Sequence, residues 1–319
     1  MIYNNIGKSC ITGSVFHLGA FSFSFDLSSP EIKEAIATIH MAIELGINVF
    51  DTAEGYADGD SERLLAYALK GKREKVHIAS KVSYGNLRAP DVRNACEGSL
   101  SRLETDYLDI EYIHIPNQNI PIEETMGELL RLKQEGKIKA IGISNFSKEE
   151  ISNASSIGQV DIVQNVFSLI WRWMEDDIIP YCNEKDIAFT PCSPLVQGIL
   201  TGKFSLDTNT HKLDSRKGIQ LFSDKYFAKA MVVAEGVKYL AKKYNKTATQ
   251  VALNWTINHY GINSVVVGVK NRTQLEENLG AIGWSMDTED TNYINKLSRT
   301  ITDDLPRDIS FWWEGKADW

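Results

Sequence analysis

The chain has 319 residues, 43% of them hydrophobic, and a formal charge of -8 with acidic and basic residues interspersed. That supplies a large buried core and argues against a nucleic-acid-binding surface. No run approaches a membrane span, the start "MIYNNIGKSC" lacks a signal-peptide pattern, and Cys10, Cys96, Cys182 and Cys192 form no CxxC pair and read as reduced thiols, so the expected address is the cytoplasm.

The opening "MIYNNIGKSCITGSVF" suggests a hairpin, and "VFHLGAF" near residue 15 reads as the first strand of the main fold. "SPEIKEAIATIHMAIELG" then reads as a helix. It has a Ser–Pro start, Ile32, Ala35, Ile36 and Ile39 at helical spacing, and Gly46 as a stop. Three more strands follow in "INVFDT" near 47, "VHIASKV" near 76 and "YLDIEYIHI" near 107. "PIEETMGELLRLKQEGK" is a helix with Pro121 at its start, acids in its first turn and Gly136 at its end. "IKAIGIS" near 138, "VDIVQNV" near 160, "IAFTPCS" near 187 and "SVVVGV" near 264 complete eight strands. Most are nearly continuous apolar runs, the mark of parallel strands covered on both faces. They recur about every 30 residues, the length of one βα unit. The stretch from Cys192 to Ser264 is longer, and predicts a polar loop ("SLDTNTHKLDSRKG") followed by helix-like segments that include an extra helix.

Eight βα units predict an α/β fold, a (β/α)8 TIM barrel, with an N-terminal hairpin and extra helices near the C-terminus. Residues 1–319 would form a single domain. A doubly wound sheet is the alternative, but no GxGxxG follows any strand and no low-complexity linker divides the chain.

A barrel places its chemistry at the C-terminal ends of its strands. Those ends carry Asp51 after the second strand, Lys81 after the third and His114 after the fourth, with Tyr56 in the loop beyond Asp51. Each alone has an ordinary explanation: a strand-end aspartate usually caps a helix, a lone histidine is usually structural, and a tyrosine at a barrel mouth usually packs. Together they make a proton donor with its tuning partners. A phenol ordinarily titrates near about 10. An ammonium held close favours the phenolate, and a carboxylate beside that ammonium keeps it charged and aimed. Histidine orients a carbonyl oxygen by hydrogen bond. The set lacks a nucleophile, so electrons for a carbonyl would arrive as hydride from a cofactor.

The stretches "GINVFDTAEGYADGDSERLLAYAL", "VHIASKV", "SLSRLETDYLDIEYIHIP", "EGKIKAIGISNFS", "VQNVFS", "SPLVQGILTGKF" and "VVVGVKNRTQLEENLGA" resemble the aldo-keto reductase superfamily in order and spacing, over essentially the whole chain. The resemblance implies that Asp51, Tyr56, Lys81 and His114 form a catalytic tetrad and that NADP(H) lies extended across the barrel mouth. Gly19 and Ala20 would border the cofactor after the first strand, and Ser144, Asn145 and Gln164 would hold the nicotinamide carboxamide. Ser193, Pro194 and Leu195 through Gly198 and Lys203 would wrap the pyrophosphate. Gly268, Lys270 and Gln274 would lie toward the adenosine 2′-phosphate, with Glu277 and Asn278 at the adenine. A cation at Lys270 is the physical reason to favour NADPH over NADH.

The chain departs from the family pattern at Cys192, where an aromatic residue usually stacks on the nicotinamide. It departs also at Ala20, where threonine is common, and at Asn117, where aspartate is frequent. "GILTGKF" is one residue short of a P-loop and has Phe204 where a hydroxyl must meet Mg²⁺, which excludes a nucleotide hydrolase.

Substrate choice lives in the loops. Phe21, Tyr84, Trp171, Trp312 and Trp313 are the candidate substrate contacts, with Arg172 for hydroxyl groups; the rival reading of Trp312 and Trp313 is that they pin the tail to the barrel. Three classes follow. The first is an NADPH-dependent reductase of an aldehyde, ketone or sugar. The second is an NADPH-binding sensor or regulatory subunit with little turnover. The third, a metal-dependent barrel hydrolase, needs clustered strand-end ligands such as HxH, which this sequence lacks; no metal, nucleic acid or membrane is expected, and a homo-oligomer is compatible with the sequence.

Overall fold

The computed structural model describes residues 1–23, 29–209 and 219–307. Strands β1 (Tyr3–Asn5) and β2 (Thr12–Ser14) pair antiparallel as the expected hairpin. Eight parallel strands follow: β3 (Phe16–Gly19), β4 (Val49–Asp51), β5 (His77–Val82), β6 (Leu108–Ile113), β7 (Ile138–Ser144), β8 (Ile162–Gln164), β9 (Ala188–Phe189) and β10 (Val265–Gly268). Their spatial order is β10-β3-β4-β5-β6-β7-β8-β9. Two backbone hydrogen bonds join the ends, from Asn263 N–H to Phe189 O (3.0 Å) and from Val266 N–H to Pro191 O (2.8 Å). The sheet therefore closes on itself and leaves no open edge. This is the (β/α)8 fold that the strand count predicts.

Helices fill every crossover. These are α1 (Ile32–Glu44), α2 (Asp60–Ala68), α3 (Ala89–Arg102), α4 (Ile122–Gln134), α5 (Lys148–Ile157) and α6 (Ile178–Glu184). α7 (Asp224–Tyr244) and α8 (Ala248–Ile257) both lie between β9 and β10, and α9 (Arg272–Leu279) and α10 (Thr288–Thr302) follow β10. The long interval after Cys192 thus holds one helix more than a βα unit needs. Part of its polar loop, residues 210–218, lies outside the described residues. Among the described residues no helix is long and apolar enough to cross a membrane.

Two layers of apolar contact hold the barrel. Inside it, Val49, Ala79, Ile110, Tyr112, Ala140, Ile162 and Ala188 form one cluster, which Ile6 and Ile11 of the hairpin plug from the N-terminal end. Gly7 in that plug has φ +52°, and a Cβ there would lie 2.1 Å from Asp161 O, so only glycine permits the approach. Outside it, Leu18, Phe50, Ile78, Ile113, Ile143 and Val163 face the apolar sides of the helices. Side chains alternate along a strand, so Asp51, Lys81, Ser144 and Gln164, an even number of residues beyond Val49, Ala79, Ala140 and Ile162, share the inward face. That parity brings polar residues together at the C-terminal mouth.

Candidate active site

Asp51 ends β4, Lys81 is the last residue but one of β5, and His114 follows β6 directly, with its N–H bonded to Val82 O (3.0 Å). Tyr56 comes from the turn between β4 and α2. Ala57, Asp58 and Gly59 there have φ of 49°, 52° and 85°, and Tyr56 O accepts from Gly59 N–H and Ser61 N–H. Three successive left-handed residues reverse the chain tightly enough to turn the phenol back over the barrel mouth.

The acids around this turn are anchors. Fully buried Glu62 accepts from Ser80 Oγ (2.5 Å) and Arg102 Nε (2.6 Å), tying α2 to β5 and α3. Glu54 accepts from Ser83 N–H (2.7 Å) and Asn86 Nδ2 (2.9 Å), and Asp60 pairs with Arg63 (2.7 Å). The negative charge that crowds Tyr56 in the sequence is thereby directed away from it.

The three strand-end residues and Tyr56 meet. Lys81 Nζ donates to Asp51 Oδ1 (2.5 Å), Thr52 O (2.7 Å) and Tyr56 Oη (3.5 Å), filling its three donor positions. Gln164 Nε2 donates to the second Asp51 oxygen (2.8 Å). The Tyr56 ring meets His114 edge to face at 5.7 Å and Phe21 at 5.1 Å. Tyr112 lies beneath, with Lys81 Nζ 5.9 Å from its ring centre.

Burial sets the protonation states. Enclosure raises the Tyr56 phenol above its ordinary value, and the opposing pull of Lys81 is not sufficient to reverse it; Asp51 and Cys192 add to the rise. Lys81 does pull toward the phenolate, as the sequence predicts, but burial outweighs it and the phenol stays neutral. Burial alone would lower Lys81, yet Asp51 and Tyr56 together hold its ammonium above the ordinary value. Burial and the Lys81 charge push His114 well below its usual range, so it is a neutral imidazole. The Cys192 thiol is pushed up to about 12 by burial and Asp51, so it is an unreactive thiol.

These residues lie at one end of a cleft of about 570 Å³. Gly19, Ser144, Asn145, Gln164 and Cys192 line it near Tyr56 and His114, and Ser193, Pro194, Leu195, Gly198 and Lys203 line its middle. Gly268, paired with Gly19, also lines it, as do Lys270 and the α9 residues Gln274, Glu277 and Asn278. In the middle, Ser193, Val196, Gln197 and Gly198 have positive φ, a run of strained backbone of the kind kept at ligand-binding turns. A Cβ on Gly198 would lie 2.5 Å from Lys203 Nζ, so glycine lets that ammonium lie over the loop.

Several placements differ from expectation. Ala20 is fully buried behind the wall, and Ser22 lines the cleft in its place, because residues Ala20–Phe23 coil into a 3-10 turn. Phe21 is in the mouth and half exposed. Tyr84 is outside the cleft, its carbonyl accepting from Asn117 Nδ2 (3.2 Å). Trp171 is fully buried and walls a second cavity of about 370 Å³ behind Asn145. Arg172 is held by Glu175 (2.6 Å) and Ser298 (3.3 Å), leaving no donor aimed at the cleft. Trp312 and Trp313 lie outside the described residues. Phe204 packs against Phe222 and Phe227, far from any phosphate-binding role. Gln197, Thr201 and Thr249 also line the cleft and were not legible beforehand; only the position of Gln197 inside "PLVQG" hinted at it.

A closed (β/α)8 barrel with an Asp–Tyr–Lys–His cluster at its C-terminal mouth and a long cleft across it defines a class of oxidoreductase. The chain belongs to the aldo/keto reductase family, which it matches over residues 17–299. Among its relatives, the aldo-keto reductase YhdN of Bacillus subtilis is 31% identical, covering 95% of this chain and 96% of its own. The NADH-specific methylglyoxal reductase of Escherichia coli is also 31% identical, covering 83% of this chain and 88% of its own. Of solved structures, the glycerol dehydrogenase AKR11B4 from Gluconobacter oxydans superposes with a TM-score of 0.86 at 28% identity, covering 96% of this chain and 97% of its own. An aldo-keto reductase from Klebsiella pneumoniae in complex with NADPH gives 0.75 at 25% identity, covering 93% and 96%.

Proposed function

We propose that the chain is an NADP(H)-dependent oxidoreductase that reduces the carbonyl of an aldehyde, ketone or sugar, and runs the reverse alcohol oxidation, with Tyr56 as general acid and base. The observation that carries this reading is the neutral Tyr56 phenol bonded to a Lys81 ammonium that Asp51 and Thr52 hold in place.

The cleft fits a dinucleotide. Among the described residues the buried Asn145 Oδ1 has no hydrogen-bond partner while its Nδ2 donates to His114 O (3.0 Å), leaving an acceptor suited to a carboxamide N–H. Ser144 and Gln164 line the cleft with it, the strained loop at 193–198 offers backbone to a pyrophosphate, and Lys270 is a cation in the lining suited to an adenosine phosphate. The NADPH complex of the Klebsiella pneumoniae relative supports the same choice. When bound, the nicotinamide supplies hydride to the carbonyl carbon. His114, a neutral imidazole, orients the carbonyl oxygen. Tyr56 Oη gives that oxygen its proton, and Lys81 Nζ stabilises the phenolate left behind. The phenolate is then reprotonated from solvent.

Carbonyl-dependent oxidation of NADPH, followed at the nicotinamide absorbance, tests this. Tyr56→Phe is expected to lose about 10²–10⁴-fold in kcat with nucleotide affinity unchanged. Equal turnover by the variant would remove Tyr56 from the mechanism. One observation favours a second reading, a nucleotide-binding sensor with little turnover: burial raises the Tyr56 phenol rather than lowering it, which makes it a weaker acid. Nucleotide binding with no turnover on any aldehyde, ketone or sugar would establish that reading instead.

A further inference from the structure

At the adenosine end of the cleft the charges are unequal partners. Lys270 and Gln274 line the cleft, and the Lys270 ammonium has no ion pair or hydrogen bond among the described residues; only its backbone N–H is engaged, by Gln274 Oε1 (2.9 Å). Arg272, the first residue of α9 and the cation between them in sequence, is paired through one edge of its guanidinium. Glu34 in the first turn of α1 takes its backbone N–H (3.1 Å), its Nε (3.2 Å) and its Nη2 (3.0 Å). One carboxylate therefore occupies both the Nε–Nη2 edge of the guanidinium and the first amide of α9, positions that otherwise attract an anion. Glu276 and Glu277 on α9 add further negative charge, the latter in the cleft wall.

A phosphate monoester carries about -1.5 to -2 charges at neutral pH. Among the described residues of this part of the cleft, the cation without an ion pair is Lys270, and Glu34 adds its field beside it. We propose that Glu34 is a cofactor-selectivity determinant: by holding Arg272 it denies a second cation to the 2′-phosphate, so the chain discriminates only weakly between NADPH and NADH. The proposal rests on the dinucleotide reading of the cleft. The Glu34–Arg272 pair is partly exposed, at 38% and 55% for the two side chains, so it is weak enough to yield once its carboxylate is removed.

The test is a fluorescence titration of the full chain with NADPH and NADH, with 2′,5′-ADP and 5′-ADP as competing probes that report the phosphate alone. The wild type is expected to bind the two dinucleotides within about tenfold of each other. Glu34→Ala, a substitution at a partly exposed helical position, is expected to tighten NADPH and 2′,5′-ADP by about tenfold while NADH and 5′-ADP stay within about twofold. Glu34→Ala/Arg272→Ala is expected to lose that gain. An unchanged NADPH-to-NADH ratio in Glu34→Ala, with weaker NADPH binding in Lys270→Ala, would overturn the proposal and leave the dinucleotide reading standing. No binding of either dinucleotide by the wild type would overturn both.

Discussion

Glu111 lies between Ile110 and Tyr112, which face the barrel interior, so its own side chain faces the helices. It is fully buried, and among the described residues the group nearest to satisfying its carboxyl is the Cys96 thiol, a weak donor. Burial raises its pKa well above the ordinary 4.5; Glu62 and Glu54 push it further and Lys81 only partly opposes them. The folded chain therefore binds this proton more tightly than the unfolded chain. The stabilisation is complete below about 4.5 and is lost as pH rises toward the folded value. Glu111→Gln keeps the shape of the neutral acid, so it is expected to flatten the decline in stability on the alkaline side and leave acid stability unchanged. Urea unfolding from pH 5 to 9 checks this; parallel curves for the two proteins would show that Glu111 is not protonated. At the same scale, Asp51, Lys81, His114 and Tyr56 were legible because strand ends and spacing name them. The neutrality of Tyr56 was not, since it depends on how many distant side chains enclose the ring.

β6 and β7 meet side by side beneath the site, with Tyr112 paired to Gly142. A Cβ on Gly142 would lie 2.3–2.8 Å from three atoms of the Tyr112 ring, so the phenol can lie under Lys81 only because its neighbour is glycine. Gly142→Ala is expected to cost about 1–3 kcal/mol by overpacking and to disturb the Lys81 position, lowering kcat along with Tm. Gly142→Ala/Tyr112→Leu is expected to recover most of the stability, because the leucine leaves room for the added methyl. A double variant no more stable than the single would place the strain elsewhere. Element existence was readable throughout: all eight apolar runs are strands, and α4 runs from Pro121 at its N-cap to a stop at Gly136 with φ +77°. Boundaries were less so. α1 begins at Ile32 with Glu31 at its N-cap, two residues later than the Ser–Pro start suggested, because Ser29 O spends its acceptor on the Ile32 N–H in a preceding turn.

At the scale of the whole molecule, the barrel is closed laterally by the bonds between 189–191 and 263–266 and from below by the hairpin plug. Ile6 and Ile11 are 2% and 3% exposed, so Ile6→Ala or Ile11→Ala is expected to cost about 2–5 kcal/mol. The site lies at the opposite end, so kcat should hold at temperatures where the variants remain folded. Denaturant melts and rates measured on the same samples check both halves; a variant that loses kcat while keeping its stability would mean that the plug shapes the mouth. The sequence by itself determined the number of strands in the barrel and their parallel arrangement, because these follow from nearly continuous runs of apolar residues. It also named the four residues of the cluster. Only the tertiary structure decided that Ser22 rather than Ala20 faces the cleft, that Trp171 and Arg172 turn away from it, and that Glu34 reaches Arg272 across 238 positions of chain. Those outcomes turn on coiled loops and on contacts between segments far apart in sequence, and neither leaves a periodic trace.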